Sequence, residues 1–314
     1  MNDENTHLCL THKMNNKNCI FDQIYIVGQK LLNWFIFIAL CIIWGSSFML
    51  MKFGMNVLSP YQVASLRLMS AGIVLLPFAF KAFKHIPANK RMLVILSGLI
   101  GSFFPAYLFC VAETKIDSAL AGILNALTPL FVIISGVAFF QLKVKMLQLI
   151  GILIGFVGLF LLVASGAHIS SAYFGYAFLV LLATLFYGIN VNMVGRHMHG
   201  IGSLEIASMA FVFLIIPCFL ILYFTGYFSL PLANEVYLKS TIASSVLGIF
   251  GTAIASILFY MLVKRAGALF ASMVTYGIPF VAVAWGIWGG EQVKFQQVIC
   301  LLLILVGVYI TNKK

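Results

Sequence analysis

Two stretches of the chain concentrate groups that could do chemistry. Asn125-Ala126-Leu127-Thr128-Pro129 sets an amide, a hydroxyl and a proline within about one helical turn, and 150 residues later Ser272, Thr275 and Pro279 follow a similar plan. A proline cannot donate to the carbonyl four residues back, so Pro129 releases that of Asn125 and Pro279 that of Thr275. Thr128 falls on the same helical face as Asn125, and Ser272 on that of Thr275. In hydrocarbon such a carbonyl must be met by a neighbour or line a wet cavity. Both uses stay open, and kink and polarity coinciding twice favour the cavity.

Polar stripes extend the set. Thr252, Ser256 and Tyr260 recur at i, i+4 and i+8, and Thr184, Tyr187 and Asn190 share another face. Such stripes either bond helix to helix or line a pore. Trp44 and Tyr107 are aromatic candidates for stacking on a substrate, and Ser47 lies close to Trp44. Two charges fall inside apolar segments. Lys52 sits near a segment end, where its head can snorkel to water. Arg67 lies deeper and either snorkels or faces the cavity, where it would pair with a substrate carboxylate.

What is missing also constrains the chemistry. No Asp, Glu or His lies deep in an apolar segment; Glu113, Asp117, Glu235 and Glu291 are all at ends. An enzyme working inside the membrane would need a nucleophile and base or a metal there, so an enzyme is not expected. Proton-coupled carriers usually bury a titratable group. The expectation is therefore facilitated diffusion or exchange, or coupling through Glu113 or Glu291. Cys41, Cys110, Cys218 and Cys300 sit in apolar runs as small hydrophobes, and no Cys or His spacing is of zinc type. Neither a metal nor a cofactor is expected.

The elements that position these residues must be membrane helices. Hydrophobic residues make up 62% of the 314 and charged ones 9%, with a mean hydropathy of +1.08. That is far more apolar surface than one aqueous core can hold, so the lipid bilayer is the solvent. The net charge of +11 sits in tails and short loops, which reflects membrane orientation and makes nucleic acid an unneeded partner. Ten apolar segments are long enough to cross, at about 34–55, 61–80, 92–112, 117–140, 146–164, 173–194, 204–225, 240–262, 267–289 and 295–312. With the N-terminus inside, fourteen Lys and Arg fall in cytoplasmic stretches and three (Lys115, Lys239, Lys294) outside, placing both termini in the cytoplasm. Residues 1–32 read as a polar cytoplasmic tail without a signal peptide.

The chain also repeats itself. At a shift of 150, Gly98, Gly101, Phe109 and Pro129 meet Gly248, Gly251, Phe259 and Pro279; at 143, Trp44-Gly45 meets Tyr187-Gly188 and Ser47 meets Asn190. Five helices per half is odd, so the halves, 33–165 and 172–312, enter the membrane inverted. The fold class is an all-α polytopic membrane protein, ten helices in two inverted five-helix repeats, with both termini in the cytoplasm. Such repeats place a substrate near the midplane, where the halves meet. Gly151-x-x-x-Gly155 with Gly158 forms a small-residue face for packing within the monomer or, alternatively, for a homodimer.

Trp44-Gly45-Ser46-Ser47-Phe48, Ser59-Pro60, Ala64-Ser65-Leu66-Arg67, Asn125-Ala126-Leu127-Thr128-Pro129 and Gly290-Glu291 resemble, in order, the EamA branch of the drug/metabolite transporter superfamily. The resemblance spans nearly the whole core. It implies a bacterial inner-membrane carrier, often an exporter of amino acids or other small metabolites. One departure stands out: Gln141 occupies a place where the family's first half often has a Glu, as Glu291 does in the second. The expected function is secondary transport of small zwitterionic metabolites by alternating access. Anionic solutes, or a structural or lipid-handling role, are the alternatives.

Overall fold

A computed structural model describes residues 16–116, 118–164, 174–288 and 295–312, and among them there is no strand. The helices fall into ten segments. They are α1 (Asn16–Gly54), α2 (Pro60–His85), α3 (Ala88–Ala112), α4 in two pieces (α4a, Ser118–Asn125; α4b, Thr128–Phe140) and α5 (Met146–Ala164). The second half supplies α6 (Phe174–His197), α7 (Ser203–Phe224), α8 (Glu235–Ala266), α9 in two pieces (α9a, Ala268–Ser272; α9b, Val274–Trp288) and α10 (Phe295–Asn312). Six of these, α1, α2, α3, α6, α7 and α8, are apolar and long enough to cross a membrane; the others carry shorter apolar helices. Outward faces display Phe35, Phe80, Phe139, Phe224 and Phe295, a surface that lipid solvates and water does not.

Local signals set several boundaries. Ser59 caps α2: its hydroxyl accepts from the Gln62 amide (3.3 Å), while the Gln62 side chain accepts from the Ser59 amide (2.9 Å), with Pro60 opening the helix. Helix α1 begins at Asn16, within the stretch read from the sequence as a polar tail. Ile20, Ile24, Val27 and Leu31 recur at helical spacing there, a pattern that continues the helix although the segment is too polar to count as membrane-crossing.

The prolines act differently in the two halves. Helix α4 breaks at Ala126–Leu127, just after the carbonyl that Pro129 would clash with, and Pro129 lies in the first turn of α4b. Helix α9 breaks earlier, at Met273, and Pro279 sits inside α9b. In place of two equivalent kinks, one half has a break ahead of its proline and the other a helix that runs through it.

Packing follows a two-fold pattern. Equivalent helices pack on each other, α2 along α7 and α5 along α10, and swapped partners match: α4b packs on α6 as α9b packs on α1. Small residues permit these approaches in pairs. A Cβ on Gly45 would meet Val281 at 2.6 Å, and one on its counterpart Gly188 would meet Phe131, the counterpart of Val281, at 2.8 Å. Helices α3 and α8 each widen into π-helical turns, at Leu99–Phe103 and Leu247–Ile254. These are equivalent places in the repeat, and such turns interrupt the ordinary hydrogen-bond ladder.

Candidate functional site

One cavity of about 120 Å³ lies where the halves meet, lined from α1, α2, α3, α4, α6, α8 and α9. That volume admits several waters or part of a small solute. Of the residues expected to line a site, Trp44, Ser47, Arg67, Asn125, Thr128, Tyr187, Asn190, Thr252, Ser256, Tyr260, Ser272 and Thr275 all border it.

The lining repeats across the two-fold. Trp44 and Tyr187, Ser47 and Asn190, Gly101 and Gly251, Ser102 and Thr252, Phe109 and Phe259, and Asn125 and Thr275 are each equivalent pairs, and both members of each border the cavity. Contacts repeat as well. The Trp44 ring packs on Phe259 (centroids 5.2 Å), and its counterpart Tyr187 stacks on Phe109 (6.1 Å). A Cβ on Gly251 would meet Ser47 Oγ at 2.7 Å, and one on Gly101 would meet Asn190 Nδ2 at 2.0 Å. Each π turn thus receives the polar residue of the other half's first helix against bare backbone.

The π turn of α8 and the helical turn just before it are tied to the first half by three further bonds. Trp44 Nε1 donates to the Gly251 carbonyl (3.1 Å), Ser70 Oγ donates to the Ser245 carbonyl (3.2 Å), and Arg67 Nε donates to Thr252 Oγ1 (2.6 Å). Two of these bonds serve backbone carbonyls away from water, which require partners. In the matching region of α3, Ser97 Oγ donates to Asn190 Oδ1 (2.5 Å). Arg67 is partly buried and, among the described residues lining the cavity, is the charged one. Its counterpart is Ala210, so the charge belongs to one half only.

Several expected residues lie elsewhere. Tyr107 donates to or accepts from Ser65 Oγ (2.7 Å), packs on Phe103 (4.8 Å) and borders a separate apolar groove with Tyr61, Phe104, Ile221 and Thr225. Two residues before Phe109, it points to the opposite side of α3, toward α2 and α7. Pro129 and Pro279 do not border the cavity; they shape the helices that do. Thr184 is buried, its hydroxyl turned back on the Val180 and Leu181 carbonyls (3.1 and 2.8 Å). Glu113 ends α3 and is not among the lining residues, and Glu291 and Asp117 lie outside the described residues. Gln141 closes α4b in a left-handed conformation (φ 54°), its Oε1 accepting from Arg196 (3.2 Å). Among the described residues no group of three His, Cys, Asp or Glu is arranged to hold a metal.

Sequence reasoning did not anticipate Phe48, Met51, Gly101, Ser102, Phe109, Gly251 or Phe259 as lining. The repeat was the available signal for five of them: Gly101 with Gly251, Phe109 with Phe259, and Ser102 with the expected Thr252 stand 150 apart.

Two repeated helical halves around one polar cavity, wrapped in an apolar outer surface, are the architecture of a membrane transporter for small solutes. The EamA-like transporter family matches the chain twice, over residues 32–164 and 174–313. The chain belongs to that family. It is 27% identical over 283 residues to the "Uncharacterized inner membrane transporter YedA" of Escherichia coli strain K12, covering 87% of this chain and 88% of the relative. Protein PagO of Salmonella typhimurium is 25% identical over 285 residues, covering 88% and 91%. An "Uncharacterized transporter" of Archaeoglobus fulgidus is 26% identical over 287 residues, covering 90% and 99%. A crystal structure with 15% sequence identity has the same fold, with a TM-score of 0.69 over 91% of this chain and 96% of its own.

Proposed function

We propose that this protein is a secondary transporter of the inner membrane that moves small metabolites, amino acids or similar zwitterions, by alternating access, and that it works as an exporter. The observation that carries the reading is the cavity assembled from equivalent residues of both halves, with polar side chains among its lining. In this reading ten segments cross the bilayer with both termini in the cytoplasm, and an odd number per half inverts the second repeat relative to the first. Rocking one half against the other opens the shared cavity to each side in turn. The cavity lining carries no carboxylate among the described residues, so transport proceeds by facilitated diffusion or exchange, or is coupled through Glu113 or Glu291.

The test is counterflow in proteoliposomes: vesicles loaded with an unlabelled amino-acid mixture should accumulate labelled amino acid, and Asn125→Ala and Arg67→Ala should each reduce it. Vesicles that exchange no amino acid and no organic anion sink the transport reading. One observation favours a second substrate class: the charged group of the lining is a cation, Arg67. Exchange of organic anions without amino acids would select that class.

A further inference from the structure

The direction of each hydrogen bond around the cavity sorts its walls by polarity. A hydroxyl has one proton and two lone pairs, so once the proton is committed the oxygen can only accept. Four lining hydroxyls have committed theirs to carbonyls of their own helices. Ser47 Oγ donates to Ile43 (2.7 Å), Thr128 Oγ1 to Asn125 (2.5 Å), Ser272 Oγ to Leu269 (2.8 Å) and Thr275 Oγ1 to Ser272 (3.0 Å). Toward the cavity these oxygens present lone pairs. Two of the helix ends involved add to the effect. Asn125 is the last residue of α4a and Ser272 the last of α9a, and both border the cavity. A helix C-terminus carries partial negative charge on its last carbonyl oxygens, each of which keeps a second lone pair beyond the bond it accepts.

Arg67 has the opposite character. A guanidinium only donates. Its Nε is directed at Thr252 Oγ1 (2.6 Å), and its two Nη groups make no hydrogen bond among the described residues. They form the free side of a fork that suits a carboxylate. Thr252 Oγ1, which accepts from Nε, retains its own proton beside that fork. Between these poles the lining is aromatic: Trp44 with Phe259 and Tyr187 with Phe109.

We infer that the cavity recognises an α-amino acid with an uncharged apolar side chain: its carboxylate on the Arg67 fork, its ammonium on the acceptor-only oxygens at the ends of α4a and α9a. This rests on the reading of the cavity as the transport site, and it goes further by assigning each charge of the substrate to a separate wall. The neutral acceptors hold an ammonium without a permanent negative charge, which accounts for recognition of a zwitterion by a cavity with no lining carboxylate among the described residues. A second charge on the side chain finds no counter-ion among the described lining residues.

Three probes of one carbon skeleton test the assignment: L-leucine, 4-methylpentanoate, which lacks the amino group, and 3-methylbutylamine, which lacks the carboxylate. Binding to the detergent-purified full chain is measured by calorimetry. L-leucine should bind at least tenfold more tightly than either analogue. Arg67→Gln should weaken L-leucine and 4-methylpentanoate at least tenfold and leave 3-methylbutylamine unchanged or tighter. Thr275→Val with Ser272→Ala should do the reverse, weakening L-leucine and the amine but not the acid. Equal weakening of all three probes by Arg67→Gln, in protein with an unchanged melting temperature, overturns the assignment, as does binding of none of them. Ser256→Trp, which fills the cavity, separates the two readings. Unaltered binding in that variant removes the cavity as the site; binding lost there but indifferent to Arg67→Gln removes only the charge assignment.

Discussion

Alanine at Gly101 and at Gly251 should have unequal effects, although the two glycines are equivalent in the repeat. At Gly251 the new Cβ meets Ser47 Oγ at 2.7 Å and Leu247 Cδ1 at 2.9 Å. Both are ends of short, rotatable groups that can shift by a few tenths of an ångström. At Gly101 it falls 2.0 Å from Asn190 Nδ2, 2.5 Å from Cγ and 3.0 Å from Oδ1, so the whole amide must move. That motion breaks the buried bond from Ser97 Oγ to Asn190 Oδ1 (2.5 Å). Overpacking costs about 1–3 kcal/mol, and a buried polar group left without its partner about 1–3 kcal/mol more. The better helix propensity of alanine returns about 1 kcal/mol. The net for Gly101→Ala is a destabilisation of about 1–5 kcal/mol, against about 0–2 kcal/mol for Gly251→Ala, which strands no buried polar group. Equilibrium unfolding in mixed detergent micelles measures both. Asn190→Ala in the Gly101→Ala background should recover at least about 1 kcal/mol as a coupling between contacting residues. Equal effects at the two glycines, or no recovery, would refute the argument.

Three further outcomes are expected. Asn192 Nδ2 donates to the Val132 carbonyl (2.8 Å), Ser135 Oγ (3.0 Å) and the Gly188 carbonyl (3.0 Å), joining α6 to α4b; Asn192→Ala should cost about 1–3 kcal/mol in the same unfolding assay, and an unmoved midpoint would discount this junction. Ser59→Ala removes one arm of the capping box of α2 and should cost about 1 kcal/mol, largely restored by Ser59→Asp. For topology, single cysteines replacing Lys143 and Lys239 should differ in whole cells toward a membrane-impermeant maleimide: the first protected, the second labelled. The opposite pattern would reverse the orientation drawn from loop charge.

Residues could be assigned to a common site from the sequence wherever the repeat and polarity agreed. Ser47 with Asn190 and Asn125 with Thr275 are polar in both copies of apolar helices, a combination that packing alone seldom requires. Tyr107 was misread because polarity does not say which side of a helix faces inward: Phe109, two residues on, borders the cavity instead. Thr184 shares a stripe with Tyr187 and Asn190, yet its hydroxyl is satisfied within its own helix. The π turns could not be read at all. They arise where Gly98, Gly101, Gly248 and Gly251 let another helix approach the backbone, and that helix lies in the other half of the chain. The early start of α1 is not legible in apolar run length, because polar residues such as Asn16, Lys17, Asn18, Asp22 and Gln23 interrupt its first turns.

The pairing of α2 with α7 and of α5 with α10 means that each half offers the other a self-complementary surface, as identical subunits do around a two-fold axis. Two copies of the first half associating in this way would place a guanidinium at both Arg67 positions, and the cavity would hold two like charges. Joined in one chain, the second copy carries Ala210 there instead. Covalent fusion has thereby freed the cavity from the symmetry of its scaffold: of two equivalent positions, one carries a guanidinium and the other a methyl group.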